Sequence, residues 1–145
     1  MHDTVPTSPR ERDGGFTLIE LLVVMIIIGI LASIAIPVFL SQRAKAHDSS
    51  TKADVSHLAK EIATYFVDGN GMLTLDFTTV PGSVIVSDGL YTQTVNLTNG
   101  TARPASGVAS NLNDESNWCV SLTDPKGFVK DYKYTATGGL ATGTC

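Results

Sequence analysis

From Phe16 to Leu40 the chain reads FTLIELLVVMIIIGILASIAIPVFL, 25 residues carrying one charge, Glu20. As a helix rising 1.5 Å per residue, the run measures about 37 Å, more than the ~30 Å hydrocarbon core of a bilayer. Core helices of soluble proteins rarely stay apolar all round for so long, so residues 16–40 are expected to span a membrane. From residue 41 the chain turns amphipathic without losing the helical period. Val55, Leu58, Ala59, Ile62 and Phe66 fall on one face, while Lys52, Ser56, Lys60 and Thr64 point elsewhere. The second half of the helix is therefore expected over 41–68. It should end at Asp68-Gly69-Asn70-Gly71, where glycine tolerates the left-handed conformation common just past a C-terminus. Pro37 removes one backbone hydrogen bond and should kink the helix, and Gly29 weakens it further. Asp48 with Lys52, and His57 with Glu61, stand four apart and read as solvated surface pairs.

Beyond Gly71 the period changes to two. SVIV and LYTQTVNL flank Ser87-Asp88-Gly89, and NWCVSL and FVKDYKYT flank Asp124-Pro125-Lys126-Gly127, so two hairpins are expected within 69–145. Pro125 and Gly127 suit the second and fourth positions of a type I turn, and Pro81-Gly82 suits type II. Thr101 to Asn117 is polar and aperiodic and reads as an exposed loop. Helix first and strands after gives an α+β fold: a long N-terminal helix, membrane-spanning then amphipathic, packed on a small antiparallel β-sheet.

Composition narrows function mainly by exclusion. The net charge is −4, and without the first 15 residues 8 basic face 11 acidic ones. With no basic stripe, nucleic-acid binding by the subunit is not indicated. His2, His47 and His57 lack metal-ligand spacing, and CxxC, G-x-S-x-G and phosphate-binding glycine loops are missing, so no catalytic residue, metal or cofactor is expected. Asp68, Asn70 and Asp76 do not follow a calcium-loop pattern. Asn96-Leu97-Thr98 and Asn99-Gly100-Thr101 are formal glycosylation sequons, the second equally explained by an Asn-Gly turn. The flanks of the apolar run carry acids among the arginines, unlike a secretory signal, though Ser33 and Ala35 would permit a signal-peptidase cut before Ile36. Arg10 and Arg12 on one side against Arg43 and Lys45 on the other leave topology open by charge.

GGFTLIELLVVMIIIGILASIAIP, starting at Gly14, resembles the N-terminus of a type IV prepilin, and the likeness extends to about Phe66. It implies a leader, 1–15, removed by a prepilin peptidase between Gly15 and Phe16 on the cytoplasmic side, with methylation of the new Phe16 amine. It also implies a partner for Glu20. An α-amine buried in a filament core needs neutralising, and the Glu20 carboxylate of a neighbour can do this, a pair whose rupture costs about 3–5 kcal/mol. The alternative is that Glu20 snorkels to the interface. Gly29 and Pro37 fall where such pilins have helix-weakening residues, which would let the segment unwind in a filament.

Cys119 and Cys145, the only cysteines, resemble the C-terminal disulfide of pilins, and export favours the bond over two free thiols. Tyr132 and Tyr134 share a strand face within the enclosed stretch, there to pack on the sheet or to adhere. The resemblance implies a pilus subunit held in the cytoplasmic membrane with its C-terminal domain outside. An assembly platform and its ATPase would then build it into a homo-oligomeric helical surface filament for attachment, motility or DNA uptake. The alternatives are a minor pilin, a type II secretion pseudopilin, or a membrane-anchored surface binding protein.

Overall fold

The computed structural model describes residues 15–145; residues 1–14 of the expected leader, His2 among them, lie outside the described residues. The chain divides into two compact units, one ending at Val38 and the other running Phe39–Cys145. Helix α1, Leu18–Asp68, begins in the first and ends in the second, and its helical assignment continues through Pro37.

In the second unit, β1 (Thr74–Asp76), β2 (Ser83–Ser87) and β3 (Thr92–Asn96) form a three-stranded antiparallel meander. A second meander joins β4 (Ala109–Ser110), β5 (Cys119–Thr123), β6 (Asp131–Thr135) and β7 (Gly139–Thr142) in sequence order. The α+β class and both hairpins agree with the sequence pattern, but there are two sheets where one was expected. The reason lies just past β3. The Asp54 carboxylate on α1 accepts hydrogen bonds from the N–H (2.8 Å) and hydroxyl (3.0 Å) of Thr98, drawing the chain to the helix before it can turn back along β3. It re-enters beside β5 through a bridge between Ala102 and Thr123.

Both sheets and α1 share one core. Val55, Leu58, Ala59, Ile62 and Tyr65 of the helix meet Val84, Val86 and Val95 of the first sheet and Val120, Leu122 and Tyr132 of the second. Register aligns the apolar positions across each hairpin, Val84 opposite Val95 and Leu122 opposite Tyr132. Each fully buried Val, Leu or Ile contributes about 1.5–3 kcal/mol, so this stripe is what holds the second half of α1 in place. Phe66, expected on it, is only partly buried, and Tyr65 takes its place.

Two further expectations change. Helix α1 does stop at Asp68, yet neither Gly69 nor Gly71 is left-handed. Both are required by proximity to Tyr65: a Cβ on Gly69 would lie 2.5 Å from its ring, and one on Gly71 2.8 Å from its hydroxyl. The segment 101–117 is not simply an exposed loop, because Thr101 is buried and residues 107–110 run along β5. Ser121 donates its N–H to Val108 O at 2.7 Å and its hydroxyl to Gly107 O. Strand β5 is thus buried at four successive positions, Cys119–Leu122, where a sheet with one wet face would alternate. Gly82, at φ +74°, occupies the third position of the turn closed by Ser83 N–H on Val80 O, as type II requires.

Cys119 and Cys145 are joined in a disulfide spanning 26 residues. It fastens the C-terminus where the Cys145 N–H also donates to Gly107 O at 3.0 Å. Replacing either cysteine with serine should lower stability by about 2–5 kcal/mol, read from urea unfolding of the oxidised parent and variant. An unchanged midpoint would mean the bond closes nothing that folding leaves open.

Candidate assembly site

Helix α1 starts at Leu18 because Thr17 caps it. The Thr17 hydroxyl accepts the Glu20 N–H at 3.2 Å, while Oε2 of Glu20 accepts the Thr17 N–H and hydroxyl, each at 2.9 Å. This reciprocal Thr-x-x-Glu arrangement satisfies two of the four amide groups a helix start leaves unpaired. Both bonds to Glu20 end on one carboxylate oxygen, which leaves Oε1 available to a second partner. Phe16, the expected first residue after processing, is 93% exposed immediately before the cap.

Past the cap the apolar side chains have nothing to cover them among the described residues. From Leu18 through Leu40 every large hydrophobic is about half exposed or more. The helix is long and apolar enough to cross a membrane. Gly29 lies open, with nothing within 4 Å of where a Cβ would stand. Ser33 folds its hydroxyl back onto Ile30 O at 2.7 Å, hiding the one polar side chain between Glu20 and Ser41.

In the second unit, polar side chains of α1 hold the loops. The buried carboxylate of Asp48 accepts the N–H groups of Phe128 (3.1 Å), Val129 (3.1 Å) and Lys130 (3.3 Å), the turn between β5 and β6. Beside it, His47 Nδ1 lies 2.7 Å from Oδ2 of fully buried Asp124, whose Oδ1 accepts the Lys126 N–H. Thr51 returns its hydroxyl to His47 O, which lets it sit buried in the same row. The expected Asp48–Lys52 surface pair does not form. Asp48 turns inward, and Lys52 lies 5.0 Å from the centroid of the Tyr132 ring, a cation–π contact. His57 and Glu61 do pair, at 3.7 Å. Tyr132 is buried and Tyr134 stacks on Trp118, so both tyrosines pack on the sheet.

At the far end of α1 the Tyr65 hydroxyl donates to Asp88 Oδ2 at 2.6 Å. That bond, with the amides of Tyr91 and Leu90, holds the Asp88 carboxyl below its ordinary range, and it raises the Tyr65 phenol in turn. Asp76 is likewise lowered, chiefly by the hydroxyls of Thr79 and Thr78, so this acid serves a local turn.

Comparison with known proteins finds likeness over part of the chain. Residues 10–36 match the family described as the prokaryotic N-terminal methylation motif. The chain is 36% identical over 61 residues to the type II secretion system core protein G of Aeromonas hydrophila, covering 42% of this chain and 43% of that one. It is 46% identical over 59 residues to the type IV major pilin protein PilA of Myxococcus xanthus, or 41% and 26% of the two chains. With the type IV wide pilus major component PilA4 of Thermus thermophilus it shares 37% identity over 80 residues, half of this chain and 61% of that one. The chain thus spans less than two thirds of each of these relatives. No solved structure matches. Over part of its length the chain is thus similar to type IV pilins and to secretion-system core protein G.

Asp48 offers a direct check on the loop anchor. Asp48→Ala would leave three amides without their acceptor, and hydrogen bonds to a charged group are worth about 1.5–3 kcal/mol each. A loss of roughly 2–4 kcal/mol is expected in urea unfolding, since water can reach part of the freed turn. Asp48→Asn should recover part of it, one carboxamide oxygen replacing two.

Proposed function

We propose that the chain is the structural subunit of a type IV pilus, cut after Gly15, methylated at Phe16, and assembled by packing of its helix into a surface filament. The observation that carries this is the uncovered apolar helix with its lone carboxylate at the cap. A subunit of that form is insoluble unless lipid or copies of itself surround it. The subunit is then stored in the cytoplasmic membrane with the second unit outside, and its partners are the prepilin peptidase, the assembly platform and ATPase, and other copies. It has no enzymatic task. Gly29 and Pro37 are the places where the packed helix would yield. The likeness to secretion-system core protein G supports a second reading, a pseudopilin; the C-terminal disulfide favours the pilin.

N-terminal sequencing of sheared surface filament should give a methylated Phe16. Protein starting at Ile36, or retaining Met1, would overturn the processing.

Glu20 has two roles that one substitution separates. Gln serves a capping box as well as Glu does, so Glu20→Gln keeps the helix start and removes only the charge. Insertion and cleavage should proceed while mature subunit accumulates in the membrane and filament is lost. Filament yield equal to the parent's would overturn the proposed pairing with a neighbour's Phe16 amine. Glu20→Ala should additionally weaken the first turn by about 0.5–2 kcal/mol.

A further inference from the structure

We propose that the turn between β5 and β6 is a second membrane contact: Phe128 and Val129, flanked by Lys126 and Lys130, seat in the headgroup layer of an anionic bilayer. This rests on the reading above that the subunit is stored in the membrane by its helix. Phe128 is 78% exposed and Val129 43%, adjacent apolar side chains at the tip of a turn. The tip is not loose. Its three amides end on Asp48, and Lys130 adopts a left-handed φ of 74° that a side chain rarely takes, so the backbone is bent to serve the helix while its apolar side chains are left outside.

The level of this tip along α1 fits the surface of a bilayer. Lys126 lines a cleft of about 220 Å³ together with Leu40, Arg43, Ala44 and His47, so the turn reaches back to the last residue of the apolar run. From Leu40 to Asp48 the axial rise is about 12 Å, while the headgroup layer adds some 5–7 Å on each side of the hydrocarbon. The turn, with Lys126 beside Leu40 and its amides on Asp48, thus occupies the levels from the end of the run to about 12 Å beyond it, a range that includes that layer.

Charge decides between this tip and the other one. Arg43, Lys45, Lys126 and Lys130 are exposed and make no ion pair among the described residues, whereas Asp48 and Asp124 are buried beneath the turn and Asp131 is half-buried at the start of β6. The turn between β2 and β3 carries an equally bare apolar residue, Leu90, fully exposed, but it shares its surroundings with Asp68 and Asp88. An anionic surface would repel it. The basic tip lies beside Leu40 and the acidic tip beside Asp68 at the other end of the second unit's helix, which is the polarity a membrane-seated domain needs.

The test uses the full mature chain carrying Phe128→Trp, reconstituted into vesicles of phosphatidylcholine with and without phosphatidylglycerol, with brominated acyl chains as quencher. Trp118 is buried and supplies a constant background measured in the parent. In vesicles containing phosphatidylglycerol the added tryptophan should emit to the blue of its position in water and be quenched. Lys126→Gln and Lys130→Gln should each reduce the docked fraction's equilibrium roughly fivefold, matching ~1 kcal/mol per basic residue near an anionic surface, and added salt should do the same. Unquenched, water-like emission from chain that floats with the vesicles would overturn this proposal and leave membrane storage standing. Chain that does not float would overturn both. Emission that is water-like in vesicles and shielded only in sheared filament would assign the turn to a neighbouring copy instead, and would also overturn the lipid contact.

Discussion

A helix that is apolar on every side for 25 residues needs apolar cover all round, and that constraint organises everything else. Among the described residues, the large hydrophobic side chains from Phe16 to Leu40 are about half exposed or more, and in the proposed reading their cover is lipid or identical helices. Both environments are apolar, and both require every backbone polar group to be satisfied within the helix. The end of the helix is where that requirement bites. Four amides stand unpaired there, and the Thr17–Glu20 box takes up two of them with side chains that lie one turn from the terminus.

The second half of the same helix faces the opposite problem. It must hold two sheets that do not continue one another, and it does so with an apolar stripe for cohesion and a polar stripe for position. Val55, Leu58 and Ile62 supply cohesion that is indifferent to small displacements. Asp48, Asp54 and the His47–Asp124 contact supply direction, because each acceptor fixes particular amides of a particular loop. A buried carboxylate meeting three amides is tolerated where an unpaired one would not be, and the same three amides would be orphans without it.

How much of this was legible depended on which residues carried it. The spanning run, the amphipathic stripe, the two hairpins and the paired cysteines follow from periodicity, turn chemistry and resemblance, each a local signal. Two features were missed for one reason: their partners lie far along the chain. The i,i+4 spacing makes Asp48 a surface partner of Lys52, yet Asp48 precedes Val55 by seven residues and Thr51 precedes Leu58 by seven, so both prolong the buried stripe. A polar residue on the buried face of a helix requires a partner, and that signal was present in the sequence. What it could not supply was the partner, 80 residues away in the β5–β6 turn. The second sheet was hidden in the same way, because Asp54 and Thr98 are 44 residues apart. Strands β1 and β7, short and rich in glycine nearby, offered no period to read.

In the proposed reading a single residue, Glu20, serves both the stored and the assembled subunit. In the free chain its Oε2 gathers two bonds from Thr17, which keeps the charge near the helix start, where the amides and the helix dipole favour a negative group. In the proposed filament a neighbour's amine would approach the other oxygen, Oε1, with no need to break the cap. Storage and assembly would therefore not compete for the carboxylate. A carboxamide at position 20 would preserve the geometry of the first role and remove the charge of the second. The cap thus presents the carboxylate in a fixed orientation before any partner arrives, and the ordering of that side chain is already complete when a neighbour docks.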